Sequence, residues 1–214
     1  IAGNQFLREE ALKHTWEETV FVVPTVVDTD KYVMKDYGRP GNTVVLGWIG
    51  SRSTIWYLQN LVSVLETLCR IYSQLTMKVV SDAFPDCAAL PIIKKRWNAA
   101  EEMSDLRSFD IGLVPLTDDV WSRGKCGLKA VQYLAVGIPV VCSPVGANRE
   151  IIEDGVNGYW ASTEAEWVEK ISRLVEDPAL RREMGSRGRK RVEEGFSLEL
   201  ASREVFTLFQ RLCR

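Results

Sequence analysis

From residue 44 onward the chain alternates short, continuous apolar runs with stretches whose apolar residues recur at helical spacing. Residues 44–49 form the first run, and Leu58, Leu61, Val62, Leu65 and Leu68 then share one helical face. Runs at 77–80, 92–93, 111–114, 139–142 and 158–160 predict further strands, and helices are predicted at 129–136 and from about Asn148. The runs are continuous rather than alternating with polar residues, so both faces of each strand are expected to be covered. This order predicts an α/β fold with a doubly wound parallel sheet. Right-handed crossovers then place every strand-to-helix loop at the carboxyl edge, where such sheets bind ligands.

Helix punctuation is clearest toward the end of the chain. Thr163 followed three positions later by Glu166 forms a capping box, and Trp167, Ile171, Leu174 and Val175 share a face behind it. Asp177-Pro178 starts another helix, which breaks near Gly195-Phe196-Ser197. A last amphipathic helix presents Val205, Leu208, Phe209 and Leu212. Ahead of residue 44 the pattern differs. A strand end at Ile1-Ala2-Gly3-Asn4, a helix to about His14, and Phe21 to Val23 precede a polar stretch at 36–42 with Gly and Pro. We divide the chain accordingly. Residues 1–42 read as the end of a preceding domain with a linker, 43–196 as the ligand-binding domain, and 197–214 as a helix returning toward the preceding domain.

Composition narrows the function. The chain has 214 residues, 46% hydrophobic and 26% charged, with a net charge of −2, so no global electrostatic attraction favours nucleic acid or an anionic membrane. Five cysteines (Cys69, Cys87, Cys126, Cys142, Cys213) are widely spaced, which argues against a disulfide framework or structural zinc and suits a reducing cytosol. With His14 the single histidine, there is neither a His-rich metal set nor a Ser-His-Asp triad.

Three segments can carry chemistry. Gly47-Trp48-Ile49-Gly50-Ser51-Arg52-Ser53 follows a strand and precedes a helix. Its glycines, free amides and guanidinium suit a diphosphate, and equally a tight turn with a capping serine and a solvated arginine. The second segment runs from Trp121 to Val141. Amides of Gly127 and Leu128 are expected to be unpaired helix-start donors facing an anion, with Lys125 and Lys129 adding charge. Lys125, Lys129 and Gln132 stand at helical spacing, although an exposed basic first turn is the plainer alternative. The third, 143–150, either contacts a ligand or closes a turn. Asp118, Asp119, Glu153 and Asp154 read as turn and cap residues. Trp97 and Trp121 are expected to be partly buried in packing, with stacking on a base or sugar as the alternative.

Together these pieces resemble the glycosyltransferase group 1 family. The carrying residues are Ala2-Gly3-Asn4, Val23-Pro24-Thr25, Val27-Asp28, the Gly50 turn and Asp110 to Leu116. They continue through Gly124 to Val141, residues 143–158 with Glu150 and Gly155-Val156-Asn157-Gly158-Tyr159, Met184-Gly185 and Phe196-Ser197. The resemblance implies the C-terminal, Rossmann-like domain of a two-domain B-type glycosyltransferase, which binds a nucleotide-sugar donor, a UDP- or GDP-sugar, without cofactor or metal. It also implies transfer with retention to a glycan, lipid or protein acceptor held mostly by the other domain. Any membrane contact, at the inner face, would come from that domain; the isolated chain is expected to be inactive, because the acceptor contacts and half of the cleft are absent from it. Carried over by position, Gly50, Ser51 and Arg52 would meet the diphosphate. Lys125, Cys126, Gly127 and Leu128 would line the phosphate and sugar side, and Gln132 would lie near the ribose.

Two departures stand out. Where the family commonly has two glutamates eight positions apart, this chain has Gly124 and Gln132. Where it often has a lysine five residues after the phosphate-binding arginine, this chain has Tyr57, and Lys125 is expected to compensate. These departures leave a degenerate, non-catalytic nucleotide- or glycan-binding module as the competing reading. A dinucleotide-binding oxidoreductase is disfavoured, because the Gly50 turn lacks the G-x-G-x-x-G spacing.

Overall fold

The computed structural model describes residues 1–16, 19–38, 43–86 and 91–212. Part of the linker, Cys87 and Cys213 therefore lie outside the described residues, as does the side chain of Leu212.

The elements follow in the order α1 (Gln5–Leu12), β1 (Val44–Ile49), α2 (Ile55–Gln59), α3 (Val62–Ile71), β2 (Leu75–Val80), β3 (Ile92–Lys95), α4 (Glu102–Arg107), β4 (Ile111–Val114), α5 (Val120–Arg123), α6 (Leu128–Ala135), β5 (Val140–Cys142), α7 (Asn148–Ile151), β6 (Gly158–Trp160), α8 (Glu164–Glu176), α9 (Pro178–Gly195) and α10 (Leu198–Leu212). The six strands form one sheet in the order β3-β2-β1-β4-β5-β6, and every pairing is parallel. The fold is the doubly wound α/β sheet expected from the strand–helix alternation. Its order reverses at β1, between β2 and β4, and that reversal opens a crevice beyond the carboxyl ends of β1 and β4.

Alternate residues along each strand enter cores on opposite faces. Leu46, Trp48, Met77, Val79, Leu113 and Val141 pack with α3 and α8 through Leu65, Leu68, Trp167 and Ile171. Val114, Val140 and Cys142 pack on the other side with Tyr133, Leu134 and Ile151. Burial in that second core pushes the Cys142 thiol far above its usual range and keeps it inert. The second face requires close approach of aromatic rings to the strands. A side chain at Gly112 would overlap the Tyr133 ring, and one at Gly47 would overlap Phe109. Tyr133 then accepts a hydrogen bond from Ile49 N–H at 2.9 Å, tying α6 to the end of β1.

The capping box at Thr163 and Glu166, the Asp177 cap with Pro178, and the helix end at Gly195 are all present. Two expectations need correction. The helical stretch after β1 is broken at Asn60-Leu61 into α2 and α3, so Val64 rather than Val62 completes the buried face. The apolar face of α10 is largely open. Leu208 is buried, whereas Phe206 and Phe209 are about 60% exposed (63% and 59%), because among the described residues no other element covers that side. Ahead of β1, Ala2 bridges Val22, and Val27 bridges Ser197 at the start of α10.

Candidate functional site

The crevice holds two adjoining cavities that share Thr54, Leu128 and Lys129. One, of about 430 Å³, is lined by Gly50, Ser51, Asp82, Trp97, Glu102 and Gln132 as well. The other, of about 270 Å³, includes Trp48, Tyr57, Lys125, Cys126, Gly127 and Asn148. Of the eight residues assigned from sequence, seven therefore line this cleft: Gly50, Ser51, Lys125, Cys126, Gly127, Leu128 and Gln132. Arg52 does not line it.

The Gly50 turn differs from expectation. Its amides are not free: Gly50 N–H donates to the Val80 carbonyl at 3.0 Å. Ser51 N–H donates to Thr54 Oγ1 at 3.2 Å, and Arg52 N–H to the Asp82 carboxylate at 2.6 Å. The Arg52 guanidinium also turns toward Asp82, with Nε 3.8 Å from Oδ2. Asp82 occupies the anion's place there, and neighbouring sequence carried no signal of it, since it enters from the end of β2.

The start of α6 is the better anion site. Gly127 takes a left-handed conformation (φ 70°), which favours glycine, and no side chain caps the first turn. Lys129 lies 4.4 Å from the centre of the Trp48 ring. Burial, reinforced by the neighbouring Lys125 ammonium, pushes its pKa down to about 8. The exposed basic turn offered as the plainer alternative is therefore wrong for Lys129, whose side chain leaves solvent to enter the cleft. Lys125 stands 5.4 Å from the Tyr57 ring and 5.5 Å from that of Trp121. Tyr57 is buried and its hydroxyl bonds Ser122 Oγ at 2.7 Å. Among the described residues neither lysine forms an ion pair, so two cations face a helix N-terminus with no carboxylate to neutralise them.

Asn4 holds this start in place. It is fully buried, donating from Nδ2 to the carbonyls of Arg123 and Lys125, both at 3.0 Å, while Oδ1 caps α1 at Leu7 N–H. Asp119 caps α5 at Ser122 N–H, Asp118 pairs with Arg123, and Asp154 accepts from Trp160 N–H, all structural roles as expected. Glu150 accepts from Gln5 N–H, and Glu153 N–H donates to Asn157 Oδ1 in the turn. The two tryptophans are less buried than expected: Trp121 is 76% exposed beside Lys125, and Trp97 is half exposed on the wall of the larger cavity. Gln132 points into that cavity wall but is committed to protein partners, donating to Glu102 Oε1 and to the Tyr32 hydroxyl at 3.0 Å each. Among the described residues no group of three or more His, Cys, Asp and Glu side chains could hold a metal ion, and no helix is long and apolar enough to cross a membrane.

Residues 107–191, spanning β4 through the α6 start and most of α9, match the family model of "Glycosyl transferases group 1". This stretch of the chain is thus similar to the glycosyltransferase group 1 family. A curated relative, N-acetyl-alpha-D-glucosaminyl L-malate synthase of Bacillus anthracis, is 25% identical over 84% of this chain and 49% of its own length. Spore coat protein SA of Bacillus subtilis is 27% identical over 39% of this chain and 24% of its own. The chain thus spans half or less of these relatives. Among solved structures, TarM of S. aureus, crystallised with UDP and alpha-GlcNAc-glycerol among its ligands, gives a TM-score of 0.79 at 18% identity, covering 97% of this chain and 43% of that one. HepE of Anabaena, in complex with UDP and glucose, gives 0.77 at 16% identity, covering 98% and 62%. The C-terminal domain of a group 1 protein, LpcC of Francisella tularensis, gives 0.65 at 20% identity, covering 80% and 99%. These likenesses show a shared fold, which in LpcC is a C-terminal domain.

Proposed function

We propose that the chain is the donor-binding half of a retaining glycosyltransferase. It holds a nucleoside-diphosphate sugar along the carboxyl edge and presents the anomeric carbon to a glycan, lipid or protein acceptor. The observation that carries this reading is the convergence of Lys125, Lys129 and the uncapped α6 start on one cleft at the strand-order reversal. A diphosphate supplies the negative charge that a desolvated lysine lacks. The nucleoside then extends toward Trp97 and Gln132, and the sugar toward Tyr57, Cys126 and Asn148. TarM and HepE were solved with UDP, which supports a UDP-sugar over a GDP-sugar.

As the glycosidic bond breaks, negative charge builds on the departing diphosphate oxygen. The two ammonium groups and the α6 amides are already arranged where that charge grows, so they stabilise the transition state more than the ground state. Lys125, standing over the ring of Tyr57, supplies the cation that position 57 lacks. The acceptor belongs to the other half of the enzyme, so the 214-residue chain alone binds donor without turning it over.

A thermal-shift panel of nucleoside diphosphates and nucleotide sugars tests this. At about a hundred times Kd the expected stabilisation is about 2.7 kcal/mol, or roughly 5–10 °C for a chain of this size, with one base preferred. A folded sample that responds to none of them refutes the donor site. Donor binding without any transfer by the full-length enzyme would favour the non-catalytic module.

A further inference from the structure

The larger cavity contains a carboxylate that the lysine–diphosphate arrangement leaves unused. Glu102, at the start of α4, accepts from Gln132 Nε2 through Oε1 at 3.0 Å and from Trp97 Nε1 through Oε2 at 2.7 Å. Gln132 is itself anchored from a second side, donating to the Tyr32 hydroxyl at 3.0 Å. Both donors to Glu102 are neutral, and among the described residues it forms no ion pair. Glu102, Trp97 and Gln132 line the same cavity as Gly50 and Lys129.

An ionised carboxylate only accepts hydrogen bonds, in about four lone-pair directions, and two of them are filled here. A group that completes it must donate. It must also be uncharged or cationic, because an anion beside Glu102 is repelled. A cation is disfavoured by Lys129 in the same cavity, which leaves neutral donors, and a pair of adjacent hydroxyls offers two within reach of one carboxylate. On the donor reading, on which this inference rests, Lys129 takes the diphosphate. The adjacent hydroxyls closest along such a ligand, on its nucleoside side, are those of the ribose.

We propose that Glu102 grips the ribose 2′- and 3′-hydroxyls and makes the site select ribonucleotides, with Gln132 and Trp97 as positioning residues that aim its two oxygens. Gln132 then acts on the ribose through Glu102, its side-chain N–H groups being spent on Glu102 and Tyr32. The carboxylate missing at position 132 is supplied from α4, thirty positions earlier (132 − 102).

Calorimetry on the 214-residue chain with UDP and GDP, and with their 2′-deoxy and 3′-deoxy counterparts, tests the assignment. A hydrogen bond to a charged group is worth roughly tenfold or more in affinity, so wild type should favour each ribonucleotide by about that factor. Glu102→Gln should weaken the ribonucleotides about tenfold, weaken each single-deoxy form less, because that form keeps only one hydroxyl for the carboxylate, and so erase most of the preference. Gln132→Leu should lower ribonucleotide affinity selectively; a loss shared equally by the deoxy forms would make Gln132 merely structural and overturn its positioning role. The assignment of Glu102 is overturned if Glu102→Gln keeps the ribose preference, or if wild type binds ribo and deoxy forms alike. Failure of folded wild type to bind any nucleoside diphosphate overturns the donor reading, and this assignment with it.

Discussion

Replacing Lys129 with methionine separates what this side chain costs the fold from what it contributes to binding. Burial, with the Lys125 ammonium, holds its pKa at about 8 in the folded chain against 10.5 for a free lysine. The unfolded chain therefore binds more protons between those two values, so stability rises with pH across that window and the full penalty is present below pH 8. At about 1.4 kcal/mol per pKa unit, the penalty at neutral pH is about 3 kcal/mol. Remaining solvent contact reduces it, and the cation–π contact with Trp48 returns about 1 kcal/mol. Lys129→Met should thus be about 1–2 kcal/mol more stable than wild type at pH 7. That gap should narrow by about 1 kcal/mol by pH 9.5, where wild-type Lys129 is already neutral. Urea unfolding at the two pH values measures both quantities. The same variant should bind a nucleoside diphosphate at least about tenfold more weakly, since it loses a charged hydrogen-bond donor. A variant less stable than wild type at pH 7, or a gap that does not change with pH, would refute the reasoning.

Three further outcomes are expected. Wild-type affinity for a nucleoside diphosphate should fall roughly tenfold from pH 7 to pH 9 as the charged fraction of Lys129 drops, with proton uptake visible by calorimetry in two buffers; a flat profile counts against Lys129 as a phosphate ligand. Asn4→Ala removes two hydrogen bonds and a helix cap, so it should cost about 2–3 kcal/mol in urea unfolding and weaken nucleotide binding by loosening the loop at Lys125. Gly127→Ala meets both a positive φ and the Ile151 side chain, and should cost at least about 1–2 kcal/mol while displacing the α6 start; unchanged stability would contradict the geometry described.

The parallel sheet was legible because its central strands are short and apolar on both faces, whereas the edge strand β3, Ile92–Lys95, is half polar and exposes Ile93 and Lys94. The α8 capping box and the Asp177-Pro178 start were legible because their chemistry lies within four residues. What escaped depends on distance along the chain. Asp82 quenches the amide of Arg52 from thirty positions away, and Glu102 meets Gln132 across the same separation, so both contacts exist only once β1, β2 and β4 are neighbours. Lys129 was read as a charge on a helical face, but its burial depends on where Trp48 stands at the end of β1. The exposed face of α10 shows the opposite limit. Its amphipathic spacing marks a face suited to burial, but spacing alone does not say what covers it.

The position of a bound nucleoside diphosphate tests the donor site most directly. A crystal structure of the chain soaked with UDP should show the diphosphate against the α6 start, within hydrogen-bonding reach of Lys125 and Lys129, with the nucleoside directed toward Trp97 and Glu102. A diphosphate seated on Arg52 with both lysines unengaged, or an empty cleft in a crystal that holds UDP elsewhere, would contradict it.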